Sequence, residues 1–352
     1  MIVIAAILLY MAVVRKYEPL LLVPLAFGII LGNFPAAGLT DVSMDGRPGG
    51  LFHYLFQGVI LGIYPPLIFL GLGAMSNFEP LLSDPRGFLL GAGAQTGIFV
   101  TFFLAVSAGF DLGEAAAIGM MGAANGPTAV FVAAHAAPEL LAPVAVAAYA
   151  LIALVPVIQA PLIRVLTTRA ERAVPVPEIK AADRNKKVLF PLAATLIIAL
   201  FIPEALPLGG MFMFGNLLRE AGVVERLSKT AQNELLHIVA VFLLLSIGVN
   251  ATAENLLNRT FVLILGLGLV AIVVATTTGV LVARFLSLIS GVRLNPLVGA
   301  AALSAVPEAA RLAQRMGQRA NPRNFLLLHA SGANLAGMLV STLAAGYFLS
   351  LL

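Results

Sequence analysis

The sequence predicts an all-α polytopic membrane protein, an inverted-repeat, transporter-like helical bundle of about ten to eleven spans with broken helices. Three observations carry this prediction. First, charge is scarce: 11% of the 352 residues are Asp, Glu, Lys or Arg and 60% are hydrophobic, against about 25% charged in soluble domains. A soluble chain of this composition would lack the polar groups to cover its surface. Second, eight stretches contain no Asp, Glu, Lys or Arg: 19–40, 48–78, 87–110, 115–138, 140–163, 235–253, 260–283 and 324–352. Each is near the roughly 20 residues that a spanning helix needs. Third, the two halves of the chain resemble each other. A β-barrel is excluded, because the apolar runs are continuous rather than alternating.

Taken in order, residues 1–50 read as an N-terminal membrane segment, with Ile2 to Val14 apolar. That run lacks a basic region before it and an Ala-x-Ala site after it, so it does not read as a cleavable signal. Residues 51–166 form the first repeat. Residues 167–187 form a linker: from Arg164 to Lys187 seven of ten charges are basic, with Pro175 and Pro177 among them. Such a basic loop is expected in the cytoplasm. Residues 188–234 connect to the second repeat, 235–352, and the apolar pieces 188–203 and 205–218 add partial spans.

The repeat is read from ordered matches. Phe69 to Leu82 aligns with Leu244 to Leu257 at an offset of 175, which places Gly73 on Gly248 and Glu79 on Glu254. Gly91 and Gly93 then fall on Gly266 and Gly268. After a five-residue gap Gly119 meets Gly299 and Pro127 meets Pro307. Arg311, Arg315, Arg319 and Arg323 form one helical stripe, ended by Asn321-Pro322, and the last three read as cytoplasmic anchors. With this stripe and the linker both inside, counting sends 260–286 outward, 296–310 inward, 87–110 inward and 115–135 outward. Repeat mates are then antiparallel, as in secondary transporters that bind ions between inverted halves. The same count places Arg15-Lys16 outside, against the basic-inside rule.

Two breaks occupy equivalent places in the repeats. In Gly122-Ala-Ala-Asn125-Gly126-Pro127-Thr128, Gly126 tolerates unusual dihedrals and Pro127 removes an amide donor. The second is Asn295-Pro296 followed by Ser304-Ala-Val-Pro307-Glu308. Carbonyls freed at such breaks find no partner in lipid, so the breaks belong inside protein or beside a polar cavity. Asn125, Thr128, Asn295 and Ser304 are therefore candidate ligands for a desolvated cation. Gln95, Tyr149, Gln159, Ser246, Asn250, Thr276, Thr277, Thr278, His329, Ser331 and Asn334 also lie in apolar segments, where each is first a helix–helix hydrogen bond. The four histidines lack metal-ligand spacing, and without cysteine there are neither disulfides nor thiolate sites. Glu308 is a carboxylate at a span, a functional candidate by default, with Arg311 one turn on as its partner. The net charge of +4 is an orientation signal rather than a nucleic-acid footprint, since no basic patch is interleaved with aromatics.

These motifs together resemble the membrane-embedded β subunit of sodium-translocating, biotin-dependent decarboxylases acting on oxaloacetate, methylmalonyl-CoA or glutaconyl-CoA. The resemblance runs in order through Tyr17-Glu-Pro-Leu-Leu-Leu-Val-Pro24, Pro65-Pro-Leu-Ile-Phe-Leu-Gly-Leu-Gly-Ala-Met75, Asn125-Gly-Pro-Thr128, Leu154-Val-Pro-Val-Ile-Gln159, Gly215-Asn-Leu-Leu-Arg-Glu220, Gly222-Val-Val-Glu-Arg-Leu-Ser228, Asn295-Pro-Leu-Val-Gly299, Ser304-Ala-Val-Pro307 and Asn324-Phe-Leu-Leu-Leu-His-Ala330. It covers nearly the whole chain. It implies a subunit that decarboxylates carboxybiotin and couples this to outward sodium transport across a prokaryotic inner membrane. Sodium is then the ion, and carboxybiotin is supplied by another subunit. The implied partners are a biotin carrier and carboxyltransferase α subunit, a small membrane γ or δ subunit and the lipid bilayer, with a homo-oligomer possible. The absence of Ala-Met-Lys-Met agrees with a separate carrier. The resemblance further implies polar roles for Asn295, Ser304 and Arg311, with Tyr149 and Glu308 as further catalytic candidates.

Three departures qualify it. The family's membrane aspartate is Asn125 here, an expected tyrosine is Leu151, and Glu308 stands where the family is apolar. One reading moves the acid across the pseudo-two-fold from Asn125 to Glu308. The other is a paralogue with lost or altered coupling. A stand-alone transporter of cations or small carboxylates, without decarboxylation, is the alternative from a different class.

Overall fold

The computed structural model describes residues 1–34, 49–179, 181–305 and 307–352. The end of the 19–40 stretch, Lys180 of the linker and Val306 of the second break lie outside these residues. Among the described residues every regular element is helical. In chain order the main helices are α1 (Ile2–Val13), α2 (Pro19–Gly32), α3 (Leu51–Ile60), α4 (Tyr64–Met75), α5 (Arg86–Ser107), α6 (Leu112–Gly119), α7 (Gly126–Ala136) and α8 (Leu141–Leu166). After the linker come α9 (Arg184–Phe201), α10 (Met211–Ala221), α11 (Leu236–Val249), α12 (Arg259–Ser290), α13 (Pro296–Ala300), α14 (Glu308–Ala320) and α15 (Leu327–Leu351).

The all-α, polytopic character is as the sequence predicts. Among the described residues five stretches are long and apolar enough to cross a bilayer: α5, α8, α12, α15 and 225–249, which ends in α11. A sixth arises if α3 and α4, bent by 69° at their junction, are taken as one span. Others, such as α1 and α2, are apolar but shorter. At 1.5 Å per residue, the 12 residues of α1 reach only about 18 Å. The described residues thus hold five or six such spans against the ten to eleven expected, the other apolar pieces being short or broken helices.

Element order repeats. The series α4, α5, α6, break, α7, α8 is matched by α11, α12, α13, break, α14, α15. The segment before each series packs on the opposite series. Here α2 crosses α11 where Gly28 meets Gly248, and α10 crosses α4 where Gly215 lies against Leu70 and Gly73 against Phe212. A β-carbon on Gly248 would lie 2.3 Å from the Leu25 carbonyl, and one on Gly215 would lie 2.0 Å from that of Leu70. Small residues let helix backbones approach this closely.

Chain direction is set by contacts with the linker. Arg284, near the end of α12, donates to Glu171 at 2.8 Å and to the Leu166 carbonyl that ends α8. Glu79, just before α5, pairs with Lys187 at 2.8 Å and accepts from the Ala182 amide. Thus α8 and α12 run toward the linker end, while α5 and α15 start there. The long mates α5 with α12 and α8 with α15 are therefore antiparallel.

The directions counted for 260–286 and 87–110 are nevertheless reversed. The cause is 295–324, which the count treats as a crossing. Asn295 and Asn324, at its two ends, both donate to the Val174 carbonyl, at 2.8 and 2.9 Å. The segment enters and leaves at one end, so α13 and α14 form a re-entrant hairpin. Its mate, α6 with α7, closes likewise, with Gly113 packed against the Ala136 carbonyl. The revised parity also moves Arg15-Lys16. Gly32, at the end of α2, lies against Val249 at the end of α11, which puts the start of α2 on the linker side of that crossing. Its basic residues then no longer conflict with the basic-inside rule.

Candidate functional site

The two hairpins meet tip to tip. The tip of the first is Ala123, Ala124 and Asn125, with Ala124 held at φ +50°, a left-handed conformation costly for a residue bearing a β-carbon. Asn125 is extended and stands at the N-cap position of α7 without a side-chain cap, with Pro127 in the first turn where its missing amide costs nothing. The tip of the second is Ala301 to Ala305. Ser304 joins the two: its amide and its hydroxyl both donate to the Ala123 carbonyl, at 3.1 and 2.6 Å.

The carbonyls freed by the second break are covered by side-chain amides from three helices. Asn334 of α15 donates to Ala301, Leu303 and Ala305. Gln95 of α5 reaches Ala302 at 3.4 Å, and Gln159 of α8 reaches Ala300 at 3.0 Å and Thr276 of α12 at 2.9 Å. Unpaired carbonyls here would forfeit their solvation, so these helix–helix bonds hold the break open. The arrangement also leaves oxygens over. Oε1 of Gln95, Oε1 of Gln159, Oδ1 of Asn334 and Oγ1 of Thr128 are buried without a hydrogen-bond partner.

Asn125 is buried and its amide reaches the Ser341 hydroxyl at 3.5 Å. The ring of Tyr149 packs against Gly126, where a β-carbon would come within 2.5 Å of it. The structure thus brings together Asn125, Gly126, Pro127, Tyr149 and Ser304. Among the described residues no charged side chain is fully buried, and no cluster of three His, Asp or Glu is present. The region is a neutral collection of hard oxygen donors, a set that suits a monovalent cation rather than a transition metal.

Other predicted residues sit elsewhere. Asn295 is buried, but its amide holds the linker carbonyls of Arg172 and Val174 while its oxygen caps the Leu297 amide beside Pro296. Glu308 follows Pro307 at the head of α14, and its carboxylate pairs with Arg311 at 2.8 Å. It also shares a hydrogen bond with Glu18. In the sequence Glu18 stands out only as part of the motif Tyr17-Glu-Pro-Leu-Leu-Leu-Val-Pro24. A signal was available, because Tyr17-Glu-Pro-Leu-Leu21 echoes Phe78-Glu-Pro-Leu-Leu82, and both acids prove to be partnered. Glu18 lies in the turn between α1 and α2 at φ +38°. Its carboxyl is pushed up to about 7, chiefly by burial, then by the charge of Glu308 and the hydrogen bond to it, while Arg311 pulls it down.

Comparison with known proteins places the sequence in one family. The family described as the Na+-transporting oxaloacetate decarboxylase beta subunit matches residues 1–352. The methylmalonyl-CoA decarboxylase subunit beta of Propionigenium modestum is 48% identical over all of this chain and 94% of its own length. The glutaconyl-CoA decarboxylase subunit beta of Acidaminococcus fermentans is 44% identical over all of this chain and 92% of its own. An oxaloacetate decarboxylase beta chain of Salmonella typhi is 41% identical, covering 99% and 94%. With the family match covering residues 1–352, the chain belongs to the beta-subunit family of sodium-transporting decarboxylases.

Proposed function

We propose that the chain is the sodium-translocating membrane subunit of a biotin-dependent decarboxylase, which decarboxylates carboxybiotin delivered by another subunit and uses the reaction to export sodium. The observation that carries this is the junction of two antiparallel hairpins at Ser304 and Ala123, inside a chain that matches its family over residues 1–352. Broken helices that point unpaired oxygens into an apolar bundle are costly unless they serve a polar cargo. Sodium is that cargo, taken by the oxygens of Gln95, Thr128, Asn334 and Asn125. Asn295 holds the linker to the second hairpin and so keeps the site's frame in place.

The chemistry needs one proton. Cleavage of the N–C bond of carboxybiotin releases carbon dioxide and leaves the electron pair on the ureido nitrogen, which takes up the proton. Arg311 is the cation suited to a carboxylate, and Glu308 with Glu18 holds a proton nearby. Tyr149 shapes the wall of the cage at Gly126. The substrate acid is selected by a partner carboxyltransferase. A biotin carrier and a small membrane subunit complete the complex in a prokaryotic inner membrane, with linker 167–187 facing the cytoplasm. The repeat unit then includes α1–α2 and α9–α10, beyond the boundaries at 51 and 235.

One observation favours a second reading. With Asn125 in place of an aspartate the cage has no counter-charge, so sodium is held by dipoles alone. Transport without decarboxylation, or with altered coupling, is the consequence to test. Reconstitution in liposomes with carboxylated biotin, following sodium uptake and carbon dioxide release together, decides. Coupled uptake and release supports the pump. Sodium movement without release supports the transporter.

A further inference from the structure

A cleft at the linker end is lined by Arg164, Arg169, Arg172 and Arg319, with Met316 and Ala320 at its base. No acidic side chain lines it. Elsewhere at this end basic groups find acids: Arg86 pairs with Asp84, Lys187 with Glu79 and Arg284 with Glu171. The four arginines of the cleft have no ion-pair partner among the described residues. Four like charges gathered into one concavity repel one another, and a flexible surface would let them spread.

The backbone beneath them is braced. Arg172 is tied to the Thr167 carbonyl and hydroxyl. The short helix Arg169–Arg172 is closed by a reciprocal cap between Thr168 and Glu171. Glu171 is in turn locked by Arg284, and the backbone at Arg172 and Val174 is held by Asn295 and Asn324. Arg164 comes from the last turn of α8 and Arg319 from the last turn of α14. Guanidinium groups set around a concavity match the oxygens of a phosphate better than lysines do, because each presents a planar fork of donors.

The geometry points to a phosphate-binding site formed by Arg164, Arg169, Arg172 and Arg319 where α8 leaves the bilayer. Two sources share this chemistry: the headgroup of an anionic phospholipid and free phosphate. Position favours the lipid, since Val165 beside Arg164 is 85% exposed on a helix long and apolar enough to span. Basic pockets at the ends of spanning helices commonly take acidic headgroups.

The test uses the full chain purified in neutral detergent, with thermal unfolding as the readout. It compares wild type with the double variant Arg164→Gln/Arg319→Gln. Both side chains are exposed and without an ion-pair partner, so the variant should unfold no earlier than wild type when no anion is added. A second double variant, Arg169→Gln/Arg319→Gln, keeps the test alive should the first fold poorly. The probes are inorganic phosphate, micelles doped with phosphatidylglycerol and micelles doped with phosphatidylcholine. Stabilisation of wild type by phosphatidylglycerol but not phosphatidylcholine, with apparent affinity lowered about tenfold per arginine removed, supports a lipid site. The same pattern with inorganic phosphate alone supports a free-phosphate site. Equal stabilisation of wild type and variants, or none by either phosphate probe, overturns the proposal.

Discussion

Ser304 and Ala123 are 181 positions apart, yet the hydroxyl and the amide of one both donate to the carbonyl of the other. This is the point where the two halves touch through their broken segments. A carbonyl at a hairpin tip, stripped of its helical partner, is satisfied by the tip of the opposite hairpin.

Replacing Ser304 with Ala removes the hydroxyl bond and leaves the amide one. The expected loss is about 1 kcal/mol of stability, read as a lowered unfolding temperature of the purified chain. A wild-type temperature would show that the hydroxyl does not hold the tips together.

Restoring the acid at the first tip tests the neutral cage. In Asn125→Asp a carboxylate gives the cation a counter-charge, and sodium affinity should rise about tenfold or more. The measurement is the sodium dependence of carboxybiotin-driven uptake in liposomes. An unchanged sodium dependence places the cation away from Asn125.

The Glu18–Glu308 pair makes a pH prediction. A carboxyl moved from 4.5 to about 7 on folding binds more protons folded than unfolded between those values. Stability should therefore fall as pH rises through that window and level off above it. Glu18→Gln removes the titrating group, so its unfolding temperature should be flatter between about pH 5 and about pH 8. An equally steep profile in the variant would sink this assignment.

Glu171 behaves in the opposite sense. The hydrogen bond from Arg284 holds its carboxyl down to about 2, against some loss of solvation, with further help from Thr168. Its contribution is present above the ordinary value of 4.5 and is lost as pH falls toward about 2. Both partners are about one-third exposed, so the pair is worth about 1 kcal/mol or less. Arg284→Met should speed proteolytic cleavage of the linker near neutral pH, and the difference from wild type should shrink on acidification. Equal cleavage rates at neutral pH would mean that the linker is held by Asn295 and Asn324 instead.

Much of this was legible in the residues. Charge-free stretches, the two proline-marked breaks and the 175-residue offset are properties of short windows, and hydropathy adds along a chain whatever lies beside it. Glu308 with Arg311 was equally local, one turn apart. The direction of the spans was not. Nothing in Pro296 to Ala320 says whether the chain crosses or returns, because both paths bury the same side chains. Two asparagines bonding one carbonyl of the linker settled it.

The sequence by itself determined the solvent, the helical class, the repeat and the places where helices fail. Only the tertiary structure decided which groups repair those failures: Gln95, Gln159 and Asn334 over the second break, Ser304 over the first, Glu18 beside Glu308. The physical reason is that a broken helix announces unsatisfied carbonyls locally, while their donors come from whatever packs against them, and that partner is chosen by the whole fold.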